Sequence, residues 1–158
     1  MGYATFLRLD GICGECIEEA HRGWLVVDSF SHSLCGAQPQ GGQVTLADLS
    51  IARFVDRATP LLAQAAAEGR IFKEAVLELC RTDGTKGKFM EIRLSRVRVT
   101  MHSLSGGPQT DMRTPYENLS VGFDKIEWHY YPAAFEAREE SGADVRTGWS
   151  SPSALATV

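Results

Sequence analysis

The sequence predicts a mainly β fold: a small closed β-barrel of two packed sheets, with one short flanking α-helix at about residues 59–69. Three observations carry that prediction. After residue 70, apolar and polar residues alternate in three long segments, which is the period of a strand with one buried face. Two of those segments switch phase midway, as a bulge does in a sheet that curves. Only one stretch has helix punctuation at both ends.

Taken in order, residues 3–9 read as a strand, and Asp10-Gly11 opens a polar loop that runs to about Gly23. Trp24-Leu25-Val26-Val27 starts a second strand, which continues through Ser29-Phe30-Ser31-His32-Ser33-Leu34 with a wet serine face. Residues 36–42 (Gly-Ala-Gln-Pro-Gln-Gly-Gly) form a flexible loop. The next strand, from Val44 to Val55, changes parity near Asp48. Thr59 is the expected N-cap and Pro60 the first helical residue, where its missing N–H costs nothing. An Ala- and Leu-rich run follows and ends at Gly69, with Leu61, Leu62, Ala65 and Ala66 as the expected packing face.

Phe72 to Arg81 then alternates, and residues 83–87 read as a turn. Phe89 to Leu104 switches phase near Ser95-Arg96, and Glu117 to Tyr131 slips at Asp124-Lys125, so a bulge is expected at each. Ser105 to Pro115 is a Gly/Pro/polar loop, residues 132–144 a loop or short loose helix, and Val145 to Trp149 a closing strand. The tail 150–158 is expected to be weakly ordered, and the whole of 1–158 to be one domain.

The 158 residues are 44% hydrophobic and 23% charged, ordinary for a soluble globular chain, and no run approaches a membrane span. A net charge of −4 with scattered Lys and Arg argues against a nucleic-acid binder. The N-terminus has neither a basic region nor a long apolar core, so no Sec signal is read there. The protein is expected to fold in the cytoplasm, and any export must then accept a folded protein.

Four cysteines are too few for a disulfide scaffold. Cys80 reads as a small core residue. Cys13-Gly14-Glu15-Cys16 is a CxxC, but in a loop of a β-rich chain rather than at a helix start in a βαβ unit. It lacks the second ligand pair that a tetrahedral zinc site needs, since His21 and Cys35 nearby form no paired motif. The pattern favours two loop cysteines that stay reduced in the cytoplasm and could oxidise on leaving it. His32, His102 and His129 read as surface or lumen-facing strand residues, and none belongs to HExxH or GxSxG. Glu18-Glu19 and Glu139-Glu140 read as solvated loop charge. No catalytic residue, metal site or cofactor is read from these patterns.

Several blocks, in order, resemble the haemolysin-coregulated protein (Hcp) family of type VI secretion. The first is Phe6-Leu7-Arg8-Leu9-Asp10-Gly11-Ile12-x-Gly14-Glu15, followed by His21-Arg22-Gly23-Trp24-Leu25. The most specific is Asp48-Leu49-Ser50-x-x-Arg53-Phe54-Val55-Asp56-Arg57-Ala58-Thr59-Pro60-Leu61-Leu62. Glu117-Asn118-Leu119-Ser120-Val121-x-Phe123-x-Lys125-Ile126-x-Trp128-x-Tyr130 and the closing Gly148-Trp149 complete the pattern. Cys13 and Cys16 depart from it, standing where the family usually carries other residues, which raises the idea of oxidative cross-links within a tube.

The resemblance implies a non-enzymatic tube subunit. Six copies would form a ring, and rings would stack into an inner tube capped by a spike protein and driven by sheath proteins. Small effectors would travel in the lumen, and the chain would be secreted during firing without a signal peptide. Ser29, Ser31 and Ser33 would face the lumen and effectors, with Ser31 at a position associated with cargo. The loops carrying Gln38, Gln40, Gln109, Asp111 and Arg113 would stack rings on one another. The short tail after Trp149 is expected to leave no fused effector domain. Two other functions stay open from the residues: a small-molecule-binding barrel or hydrolase, and a metal or redox regulator built on Cys13 and Cys16.

Overall fold

Strands dominate. The elements are β1 (Tyr3–Leu9), β2 (Leu25–Val27), β3 (Ser29–Ser31), β4 (Leu34–Cys35), β5 (Thr45–Leu46), β6 (Leu49–Phe54), α1 (Thr59–Glu68), β7 (Phe72–Arg81), β8 (Lys88–Ser105), β9 (Tyr116–Gly122), β10 (Lys125–Tyr130) and β11 (Val145–Ser150). The computed structural model describes residues 2–82, 87–107, 114–132 and 144–151. The expected turn at 83–87 (all but Gly87), the segment 133–143 with Glu139-Glu140, and the tail 152–158 lie outside the described residues.

β8 is the spine. Its first half pairs with β7 on one side and β10 on the other, and β1, β2 and β11 extend that first sheet. Its second half pairs with β9, followed by β6 and β3, to make the second sheet. All these pairings are antiparallel. The fold is therefore mainly β with one helix, in two sheets.

The phase switch read at Ser95-Arg96 is where β8 passes from one sheet to the other. Arg96 adopts φ 52°, costly for a residue with a Cβ, and a register shift follows between Val99 and Met101. The slip at Asp124-Lys125 is not a bulge. The strand breaks there into β9 and β10, which pair with different halves of β8. Asp124 holds the corner: its N–H donates to the Ser95 carbonyl at 3.0 Å, and its carboxylate lies 3.3 Å from Arg96 and 3.5 Å from Arg98.

The expected second strand, 24–34, is likewise three short pieces, β2, β3 and β4. Asp28 separates β2 from β3 and donates its N–H to Ala52 at 3.0 Å, so the chain leaves the first sheet and joins the second within one residue. The hydrogen-bonded path β2-β1-β7-β8-β9-β6-β3 thus begins and ends on neighbouring segments of one chain. No ladder joins β2 to β3 among the described residues, so the expected closed barrel is not present as a closed sheet. A strand that changes sheets joins the path through the backbone instead.

The inner faces of the two sheets meet in one core built from Leu7, Leu25, Leu77 and Leu94 on one side and Leu49, Ile51, Leu119 and Val121 on the other. α1 packs against β8 and contributes Leu62 and Ala65 to the core. Leu61 points outward instead, 45% exposed. The helix also starts one residue earlier than its sequence signals suggest. Ala58 is the N-cap, and Thr59 is the first helical residue, its hydroxyl accepting the Asp56 N–H at 3.1 Å. Gly69 ends the helix as expected, in the left-handed conformation (φ 64°), with its N–H reaching back to the last turn. Among the described residues no helix is long and apolar enough to cross a membrane.

Candidate functional face

The two sheets present outer faces of opposite character, and the register explains how. On the second sheet, outward positions line up across four strands. Ser29 pairs with Ala52, Ala52 with Asn118, and Asn118 with Ser103. The next row is Ser31, Ser50, Ser120 and Met101. These eight positions carry no charge and mostly small side chains, because each strand alternates a buried apolar or paired residue with a short polar one.

The rows enclose a shallow concavity of about 510 Å³ with Phe30, Ile51 and Leu119 at its floor. Tyr116 sits at the rim, its hydroxyl donating to Asp28 and its ring edge-on to Phe54 at 5.2 Å and 85°. The bond to Asp28, aided by burial and the Asp28 charge, holds the Tyr116 phenol above its ordinary pKa.

The first sheet shows the opposite. Across β1, β7, β8 and β10 run Arg8–Glu74 (3.1 Å), Arg93–Glu74 (2.5 Å), Lys88–Glu91 (3.2 Å) and Lys125–Glu127 (3.2 Å). Arg146 on β11 adds a further contact to Glu127 at 3.2 Å. Each pair in such a solvated lattice is worth little alone, but together they make this face highly charged.

The predicted residues distribute unevenly over this frame. Ser29 and Ser31 stand together on the uncharged face. Ser33 does not join them. It lies past the end of β3, where its carbonyl accepts the Ala47 N–H at 3.0 Å. Gln38 and Gln40 lie at the tip of the β4–β5 hairpin, a turn closed by Gly41 N–H to the Gln38 carbonyl at 3.1 Å. Gln109, Asp111 and Arg113 lie outside the described residues. Ser50, Ala52, Met101, Ser103, Asn118 and Ser120 complete the face and carry no site expectation from the sequence. The outward parity of Ser50 and Asn118 was readable within their strands, whereas Met101 and Ser103 face outward only because the register shift after Val99 reverses the alternation, which had placed Met101 with Val97 and Val99.

The serines of this face have no histidine partner among the described residues. His102, expected at the surface, points to the opposite side of β8 and bonds Glu117 at 2.7 Å with only 9% of its side chain exposed. Cys13 is exposed, whereas Cys16 is buried beside Phe6 and Cys80, so the CxxC divides between surface and interior.

A sequence profile described as "Type VI secretion system effector, Hcp" matches residues 6–130. The chain is 25% identical to protein hcp1 of Pseudomonas aeruginosa over 158 residues, covering 95% of this chain and 96% of that protein. Among solved structures, "a type six secretion system protein" superposes with a TM-score of 0.83 at 25% identity, covering 94% of this chain and 96% of the other. Hcp1 from Salmonella typhimurium gives 0.80 at 23% identity, covering 95% of each. With most of the chain inside the family profile and the same fold across these relatives, this protein belongs to the Hcp family of the type VI secretion system.

Proposed function

We propose that this chain is the ring-forming subunit of a type VI inner tube, a structural carrier and not an enzyme. Six copies surround a bore lined by the second sheet, with the barrel wall of each copy completed by the chain crossing at Asp28. The observation that carries this reading is the uncharged face of Ser29, Ser31, Ser50, Ser103, Asn118 and Met101. A bore that passes unrelated cargo needs wetted walls without fixed charge, because a charged wall retains cargo of opposite sign and repels cargo of like sign. Short side chains keep the bore wide, and Met101 offers a soft apolar contact that adapts to different surfaces.

Identical subunits that join by different surfaces close into a ring when the rotation allows. The β4–β5 hairpin carrying Gln38 and Gln40, and the loop carrying Gln109, Asp111 and Arg113, then contact the next ring. The tube meets a spike protein at its tip, sheath proteins around it and small effectors inside it. The chain is made in the cytoplasm and leaves the cell folded, without membrane insertion.

Mass photometry of the purified protein tests this. The expected result is a discrete particle near six times 17.3 kDa. A monomer across the micromolar range would overturn it.

A further inference from the structure

A polar cluster lies on the opposite side of the molecule from the uncharged face, where the 10–24 loop folds over β7. His21 is buried there, at 4% exposure, with its ring stacked on Phe6 at 4.1 Å and 11°. Its Nε2 lies 2.7 Å from Glu78 Oε2 and 3.8 Å from Cys80 Sγ. Glu78 and Cys80 are two residues apart on β7, so both side chains leave the same face of the strand. All three donor atoms lie within 4.8 Å of one another. On the far side of the ring, Nδ1 lies 3.2 Å from the Glu18 carboxylate.

We propose that His21, Glu78 and Cys80 bind one divalent cation of the zinc class, with Glu18 bracing the histidine and a solvent molecule in the fourth position. Nitrogen, oxygen and sulfur donors together suit that class of ion, and three protein ligands plus solvent is a familiar tetrahedral set. Donors about 2.0–2.3 Å from such an ion stand roughly 3.3–3.6 Å apart. The present spacing needs the His21–Glu78 pair to open by about half an ångström, the His21–Cys80 pair to close slightly, and the Glu78 and Cys80 donors, within 4.8 Å of each other, to settle into the same range. Glu18 stands on the Nδ1 side of the ring at 3.2 Å but outside hydrogen-bond geometry, and a small rotation of its half-exposed carboxylate would let it accept the Nδ1 proton behind a metal-bound imidazole.

The surroundings fit. A cleft of about 220 Å³, lined by Glu18, Phe6, Cys80 and Arg81, opens the Cys80 edge of the cluster to solvent. Lys88 lies 3.4 Å from the other Glu78 oxygen, which leaves Oε2 as a single-oxygen donor. Lys88 also opposes a cation, but Glu91 shares it at 3.2 Å, and Glu18 and Glu78 together outweigh it. Burial first, then the charges of Glu78 and Glu18, push the Cys80 thiol up to about 11. The carboxylates that disfavour a bare thiolate favour a cation beside it. On binding, the thiol proton leaves to solvent as the sulfur takes the ion.

The test is titration of metal-free, reduced protein with Co²⁺ and then Zn²⁺, read by thiolate-to-cobalt charge-transfer absorption and by bound metal per chain. One equivalent of Co²⁺ is expected, with a charge-transfer band that Zn²⁺ displaces. Cys80→Ser should abolish the band, and Glu18→Gln, at a half-exposed position that leaves the core intact, should weaken binding about 10–100-fold. Cys13→Ser, Cys16→Ser and Cys35→Ser should each keep the band. No saturable binding by the parent protein, a band that survives Cys80→Ser, or one that disappears with Cys13→Ser would overturn the proposal.

Discussion

Arg53 on β6 and Glu117 on β9 occupy one register position and form an ion pair inside the molecule, with 1% and 0% of their side chains exposed. The rest of each group is also satisfied. Arg53 reaches Asp56 at 2.7 Å and the Val26 carbonyl at 3.3 Å, and the Glu117 carboxylate accepts from His102 Nε2 at 2.7 Å. Breaking one partner strands a buried charge, whereas replacing both with apolar residues removes the desolvation cost along with the attraction.

Glu117→Ala should therefore lower stability by about 3–5 kcal/mol, while the double change Arg53→Met with Glu117→Leu should cost clearly less. Urea unfolding at a fixed protein concentration measures both. A double variant as unstable as the single one would show that the network acts through more than its buried charge.

Gly14 belongs to the loop that covers Phe6 and His21. A Cβ at this position would stand 2.6 Å from the Trp24 carbonyl oxygen, which no small shift relieves. Gly36, in contrast, has open space around it. Gly14→Ala should destabilise by more than about 1 kcal/mol, and Gly36→Ala should change stability by no more than about 0.5 kcal/mol. Thermal unfolding of the two variants side by side checks the contrast.

Glu127 on β10 supplies a pH dependence of defined sign. Burial pushes its carboxyl up, but hydrogen bonds from Lys125 and Arg146 and their charges outweigh it and hold the group below its ordinary value of 4.5. A depressed folded-state pKa gives stability that is present above 4.5 and is lost as pH falls through the lower folded value. The stability difference between parent and Glu127→Gln should be constant near neutrality and shrink below pH 4.5, followed by urea midpoints across the acid range. A difference that grows on acidification would contradict the assignment.

Much of this architecture was legible in the chain because its signals are local. Alternation marked β7 and both halves of β8, and Pro60 with Gly69 bracketed α1. The helix start slipped by one residue because the Thr59 hydroxyl serves the Asp56 N–H before it rather than the helix after it. What stayed hidden depends on pairing between distant residues. Arg53 and Glu117 are 64 positions apart, and His21 and Cys80 are 59 apart, so nothing near His21 in sequence pointed to its partners. His102 read as a surface or lumen-facing residue because unbroken alternation puts Met101 with Val97 and Val99 on the core side, yet the bulge after Val99 turns His102 inward to Glu117. The one-residue sheet change at Asp28 carries no special composition, and a single continuous strand was the simplest reading of 24–34.

An electron-microscopic reconstruction of the purified protein tests the central claim most directly. The account predicts a six-fold ring whose bore is lined by Ser29, Ser31, Ser50 and Met101, with the Arg8–Glu74–Arg93 lattice turned away from it. A ring whose bore is lined by that lattice, or particles containing a single chain, would contradict it.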